Sequence, residues 1–265
     1  MNVHGVPALM PGRVEIIPTQ GIVDAVLAQL PRSTTITVTC LPHHGIARTM
    51  AVSVQLARSG YTVVPHLAAR AIESREQLAT IVRQCSAEGI HGVFVVGGDS
   101  AQAAGPYASS GQLMLDVAVF SGGSLAMGIA GYPEGHPGIA DGLLLESLLS
   151  KAGLASYIVT QMCFSADVIS SYMARVRGAG IALPVWAGVA GTVPRTKLIL
   201  LATKIGVGGS LRFISGKGAL GLRLLGGGSY DPQSLTAELA ALPIPPAGIH
   251  HYSFNTLPNV ASTPA

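Results

Sequence analysis

The stretch Leu125-Ala-Met-Gly-Ile-Ala-Gly-Tyr-Pro-Glu-Gly-His-Pro137 is an apolar run ending in a proline-bracketed polar cluster. A leucine-rich helical pattern, Gly142-Leu-Leu-Leu-Glu-Ser-Leu-Leu149, follows it. Proline fixes φ and so fixes the turn, which holds Tyr132, Glu134 and His136 above the end of a buried strand. Two further apolar runs end in the same way, at Gly97-Gly-Asp99 and at Val159-Thr-Gln161. A strand that delivers polar groups into a turn and then a helix is the repeating unit of an α/β enzyme. The three ends are expected to converge on one site.

Working outward, apolar β-branched runs recur at 13–17, 35–39, 62–66, 91–96, 125–130, 157–161, 184–188 and 248–253, with helical periodicity between them. Leu78, Ile81, Val82 and Cys85 share one helical face, as do Val168, Ile169, Tyr172 and Val176. Ser74 with Gln77 reads as a capping box, and Ser165 as the cap of the sixth helix. The first seven strand starts lie about 22 to 34 residues apart, the length of a βα unit. The last gap is about twice as long, with extra helical material at 197–204 and 233–242. Eight such units predict a single (βα)8 TIM-type barrel over residues 1–265, with loose ends at 1–12 and 256–265. A doubly wound open sheet is the alternative.

Composition narrows the function classes. Hydrophobic residues make up 49% and charged residues 11%, which matches strands buried on both faces. The acid- and base-free run 117–133 is broken by Ser121-Gly-Gly-Ser124, so it reads as helix end, turn and strand, not as a membrane span. A net charge of +3 without a Lys/Arg cluster argues against nucleic acid. Cys40, Cys85 and Cys163 form no CxxC pair, and the start carries no apolar leader, so the cytoplasm is expected. Adjacent residues on a strand face opposite ways, so neither His43-His44 nor His250-His251 makes a chelating pair. HxH and HExxH do not occur, and no metal is expected. Gly206-Val-Gly-Gly-Ser210 has the composition of a phosphate loop but no strand before it, and reads as an ordinary loop.

Active sites of (βα)8 barrels sit at the carboxyl ends of the strands. The residues expected there are Glu15, Thr39, His66, Gly98, Asp99, Tyr132, Glu134, His136, Gln161, Phe164, Trp186, Gly188, Tyr252 and Asn255. Glu15 stands inside an apolar strand, where an ionised carboxylate is costly; that setting suits a general acid. Its bland counterpart is an outward-facing or Arg-paired glutamate. Asp99 follows two glycines, which let backbone approach a ligand closely, although a turn aspartate is the ordinary alternative. Gln161 carries donors and an acceptor that are expensive to bury unpaired. It fits a pterin edge or a carboxamide, or else a satisfied core amide.

These strand ends resemble the methylenetetrahydrofolate reductases over roughly Val14 to Asn255. Val14-Glu-Ile-Ile-Pro18 is similar to that family's Phe-Glu-Phe-Phe-Pro, and Pro65-His-Leu67 to its Pro-His-Leu. Tyr107-Ala-Ser109 is similar to its Tyr-Ala-Ser. Gly131-Tyr-Pro-Glu-Gly-His-Pro137 resembles Ala-Tyr-Pro-Glu-x-His-Pro, and Thr160-Gln161 its Thr-Gln. His251-Tyr-Ser-Phe-Asn255 resembles His-Phe-Tyr-Thr-Leu-Asn.

The resemblance implies reduction of 5,10-methylenetetrahydrofolate to 5-methyltetrahydrofolate in one-carbon metabolism, toward methionine biosynthesis. It makes Glu15 the acid, Asp99 the stabiliser of developing positive charge, and Gln161 the residue that orients the reacting rings. Thr39, His66, Gly98, Tyr132 and His136 would surround the redox cofactor. Glu134, Phe164, Gly188, Tyr252 and Asn255 would meet the substrate. Two departures bear on the cofactor. Gly97 replaces the arginine of the family's Arg-Gly-Asp, and the helix that carries acidic, amide and basic groups to FAD reads as leucines, with Lys151 its only base. The family's nicotinamide-packing aromatic falls at Leu201. These changes predict that FAD does not bind stably and that NADH delivers hydride directly. An FAD-dependent reductase, a non-catalytic pterin-binding barrel and a reductase using another pterin or a deazaflavin donor are the alternatives.

Overall fold

In a computed structural model, residues 10–194, 198 and 229–257 are described. Eight parallel strands close into a barrel in the order β1 to β8, with β1 hydrogen-bonded to β8. They are β1 (Gly12–Ile16), β2 (Thr35–Val38), β3 (Thr62–Ala68), β4 (Gly92–Val96), β5 (Ala126–Gly131), β6 (Tyr157–Thr160), β7 (Val185–Ala190) and β8 (Gly248–Tyr252). Between them run α1 (Ile22–Gln29), α2 (Gly45–Arg58), α3 (Arg75–Ala87), α4 (Ser110–Ser121), α5 (Asp141–Ala152) and α6 (Ala166–Gly178), with α7 (Gln233–Ala240) before β8. The closed barrel excludes the open-sheet alternative. Segment 199–204, Leu201 within it, and the loop 206–210 lie outside the described residues.

Local sequence explains the joints. The run 117–133 divides as expected: α4 ends at Ser121, Gly122 and Gly123 adopt positive φ, and β5 begins at Ala126. Ser165 Oγ accepts from Val168 N, capping α6. Ser74 Oγ accepts from Gln77 N, but Gln77 Oε1 reaches back to Glu73 N instead of Ser74 N. The reciprocal box belongs to Ser109 and Gln112 on α4. No helix among the described residues is long and apolar enough to cross a membrane.

Outward strand residues such as Ile16, Ile36, Leu67, Val93, Ile129 and Ile158 are buried under the helices, which places most of the core in the ring between sheet and helices. Inside the barrel, Val64, Phe94, Tyr157 and Val159 pack together. At the amino end the Arg13 guanidinium lies 3.6 Å from the centre of the Trp186 ring and 4.2 Å from that of Tyr157. Gly128 and Gly248 leave room for these aromatics, since a Cβ at either would fall 2.4 Å from a ring carbon. Burial lowers the Arg13 pKa, and the two π faces partly replace its lost hydration. Trp186, expected among the strand-end residues, is therefore a floor residue capped by Arg13.

Candidate active site

Three strands bring three ionisable side chains together inside the barrel. Glu15 projects inward from β1, His250 from β8 and His66 from β3. His250 Nε2 lies 3.0 Å from Glu15 Oε2, and His66 Nε2 lies 3.6 Å from the same oxygen. All three are enclosed, with side-chain exposures of 14% for Glu15, 9% for His66 and 1% for His250. The Ser253 hydroxyl donates to the Glu15 carbonyl and so fixes the backbone beneath the carboxylate.

The two histidines are not equivalent. His66 packs its ring on Phe94, with centroids 4.8 Å apart. Its Nε2 has no hydrogen-bond partner among the described residues. Burial pushes its pKa down to about 4, a fall that Glu15 opposes and His250 reinforces. His66 is therefore neutral at pH 7. His250 is the hydrogen-bonded partner of Glu15, whereas His251 points to the outer side of β8, near Gly12. The motif resemblance begins at His251. The fold puts His250 against the acid, and period-two alternation explains why only one of the pair can reach it.

Tyr252 forms the adjacent wall. Its hydroxyl donates to the Thr160 carbonyl at 2.9 Å, and its ring meets His250 edge-on at 4.9 Å. Burial raises the Tyr252 pKa, with Glu15 and Tyr132 adding to the rise, so the phenol stays protonated. Gly188 N donates to Thr160 Oγ1 at 2.8 Å. A Cβ at Gly188 would lie 2.2 Å from the Thr160 carbonyl and 2.8 Å from the Tyr252 ring. Gly188 thus lets Tyr252 cross β7, a packing reason for the glycine. Asn255 is occupied within the chain: Oδ1 accepts from Ile17 N at 2.8 Å, and Nδ2 donates to Ile17 O and Thr19 Oγ1, both at 2.9 Å. It stitches the exit of β8 to that of β1 at a left-handed φ of 61°, and its polar atoms face the backbone.

The remaining expected residues ring the carboxyl end. Asp99 is exposed in the loop after β4, next to Gly98 at φ 89°. Arg70 holds that loop through Ser100 O and Ala108 O. Tyr132 is half-buried, and its ring meets that of His136 edge-on at 5.3 Å. His136 Nδ1 accepts from Gly138 N. Glu134 Oε1 accepts from the Cys163 thiol at 3.3 Å; burial pushes that thiol's pKa up to about 12, so it remains a donor. Gln161 is held at the end of β6 by its backbone bond to Gly131 O. Phe164 packs edge-on against Tyr230 at 5.6 Å. Thr39 is buried, and its hydroxyl has no partner among the described residues. No group of three or more His, Cys, Asp or Glu among the described residues is placed to hold a metal ion.

A histidine-braced carboxylate inside a polar-rimmed (βα)8 mouth places the chain among barrels whose active sites sit at the strand ends. The chain belongs to the methylenetetrahydrofolate reductase family, whose family model matches residues 25–202. Thr39, His66, Asp99, Tyr132 and Gln161 fall inside that match, while Glu15 and His250 lie beyond its two ends. Among solved structures, the chain is similar to a putative lyase/mutase from Burkholderia cenocepacia J2315, with TM-score 0.51 and 14% identity over 94% of this chain and 78% of that one. It is also similar to oxaloacetate acetylhydrolase, with TM-score 0.56 and 9% identity over 94% and 77% of the two chains. At such identities these structures share the fold alone.

Proposed function

We propose that the protein reduces 5,10-methylenetetrahydrofolate to 5-methyltetrahydrofolate with NADH as the direct hydride donor and no resident flavin. The observation that carries this reading is Glu15, enclosed in the mouth and hydrogen-bonded to His250. Opening the five-membered ring requires a proton on the departing nitrogen, and protonated Glu15 supplies it as the carbon–nitrogen bond breaks. The resulting 5-iminium cation accepts hydride at its methylene carbon, yielding the methyl group and NAD+. His250 Nε2 holds the Glu15 oxygen in either protonation state, donating to the carboxylate or accepting from the acid. Neutral His66 places no positive charge beside the cation. Asp99 offers a negative charge from the rim as that cation forms, and Gln161 orients the rings.

The family's usual FAD does not fit the groups that α5 presents. Leu143 and Leu149 are exposed at 58% and 47%, so aliphatic side chains stand where charge-assisted contacts to a pyrophosphate are needed. Lys151, the only base of α5, points to α4, with Nζ 3.3 Å from Ser110 Oγ. Burial lowers its pKa. The reaction would take place in the cytoplasm and feed methyl groups toward methionine biosynthesis. An anaerobic assay of NADH oxidation, with methylenetetrahydrofolate and without added flavin, tests the reading. Substrate-dependent oxidation with stoichiometric 5-methyltetrahydrofolate is expected. Pterin binding without turnover would leave a non-catalytic barrel instead.

A further inference from the structure

Beside the mouth, between the end of β5 and helices α5 and α6, lies a cleft of about 690 Å³ including its opening. Its walls are Leu144, Leu145, Leu148 and Val176, with Tyr132 at the side toward the barrel and Asp141 and Arg175 among the lining residues. The shape has a specific cause. Gly131 lets the Tyr172 hydroxyl tuck against β5, because a Cβ there would lie 2.3 Å from it. The Tyr172 ring is thereby held as a wall and does not fill the space.

The polar groups are few and separated by sign. Asp141 opens α5, and its carboxylate makes no hydrogen bond among the described residues; a Cβ on Gly135 would fall 2.9 Å from its Oδ1, which sets the carboxylate against the Tyr-Pro-Glu-Gly turn. Arg175 is exposed; its guanidinium lies 5.5 Å from the centre of the Tyr172 ring, and its one side-chain hydrogen bond among the described residues is a long 3.4 Å contact to the Pro133 carbonyl. An apolar slot with a carboxylate acceptor and a guanidinium suits a flat heteroaromatic base, a vicinal diol and a phosphate. Tyr132 lines this cleft and also stands at the rim of the mouth, so the two share a wall residue.

We infer that this cleft takes the adenosine half of the dinucleotide donor. The adenine lies among Leu144, Leu145, Leu148 and Val176, the ribose hydroxyls donate to Asp141, and Arg175 meets the pyrophosphate. The inference rests on NADH as donor in the reading above and adds to it a preference. A 2′-phosphate would stand against the Asp141 carboxylate, so NADPH is disfavoured. The guanidinium comes from α6 and not from α5, whose leucines supply only the apolar wall.

The test is equilibrium binding to the full chain, by calorimetry, with ADP-ribose, NADH, NADPH and FAD as probes and no folate present. ADP-ribose and NADH are expected to bind, with NADPH weaker by roughly tenfold or more. Asp141→Asn should weaken NADH and narrow the NADH/NADPH ratio severalfold. Leu145→Trp, which fills the slot, should abolish ADP-ribose binding with little change in Tm. Unchanged affinities in both variants, or equal binding of NADH and NADPH, would overturn the inference. So would FAD binding more tightly than ADP-ribose and being lost in the same variants. These readouts do not involve turnover. A protein that behaves as expected here yet fails to reduce methylenetetrahydrofolate would sink the proposed reaction and leave the cleft standing.

Discussion

His250 Nε2 lies 3.0 Å from Glu15 Oε2 across the β1–β8 seam, with both side chains enclosed by the barrel. A carboxyl group with one fixed hydrogen-bond partner keeps a single orientation toward the mouth, which is the requirement for an acid that must meet one nitrogen of a bound ring. His250 acts through Glu15 and is a positioning residue. His250→Ala should lower kcat about 10- to 100-fold with a KM change of only a few-fold, and should shift the alkaline limb of the kcat–pH profile, where a required acid loses its proton. A merely structural histidine would lower Tm without moving that limb.

Glu15→Gln keeps the shape and one hydrogen bond to His250 but removes the proton. Its kcat should fall by about 10³-fold or more, while the dissociation constant for the folate changes little. Single-turnover mixing with NADH separates the two quantities. An unchanged rate would identify some other group as the acid.

Asn255 was expected at the substrate on the strength of its motif, yet its amide atoms bond Ile17 and Thr19. Asn255→Ala should therefore cost about 1–3 kcal/mol in urea unfolding, as loss of buried hydrogen bonds does, and KM for the folate should move less than twofold. A large KM effect at unchanged stability would restore it to the pocket.

A buried histidine, His66, and a half-buried one, His251, are expected to set the acid limit of stability. Burial lowers both His66 and His251 to about 4 from an ordinary 6.5. Between those values the unfolded chain binds more protons than the folded one, so stability rises with pH across the window. Full stability holds above pH 6.5 and is lost as the pH falls toward 4, by an amount on the order of a few kcal/mol for the two together. His251 lies outside the proposed site. His251→Phe should flatten the dependence of Tm on pH between 4 and 6.5 and leave turnover intact. An unaltered slope would assign the acid limit to other groups.

The barrel was legible because its strands are continuous apolar runs at βα spacing, a pattern that needs no long-range information. Glu15 stood out for the same reason, as one charge in an apolar strand. His250 did not, because two adjacent histidines look alike until the register to β1 decides which faces inward. The Arg13–Trp186 contact joins residues far apart in sequence, and nothing local to Trp186 distinguishes a floor from a lid. The cleft beside Tyr132 depends on how α5 and α6 pack, although the run of leucines on α5 was already readable.

The central claim is hydride transfer from NADH to the methylene carbon without a flavin between them. A flavin intermediary passes hydrogen through a site that exchanges with water, so it dilutes an isotopic label; direct transfer does not. The decisive measurement is turnover of NADH deuterated at the transferred position, in ordinary water, by protein whose visible spectrum is recorded beforehand. The account predicts a colourless protein and one full deuterium in the methyl group of 5-methyltetrahydrofolate. A yellow protein whose product has lost label to solvent would contradict it.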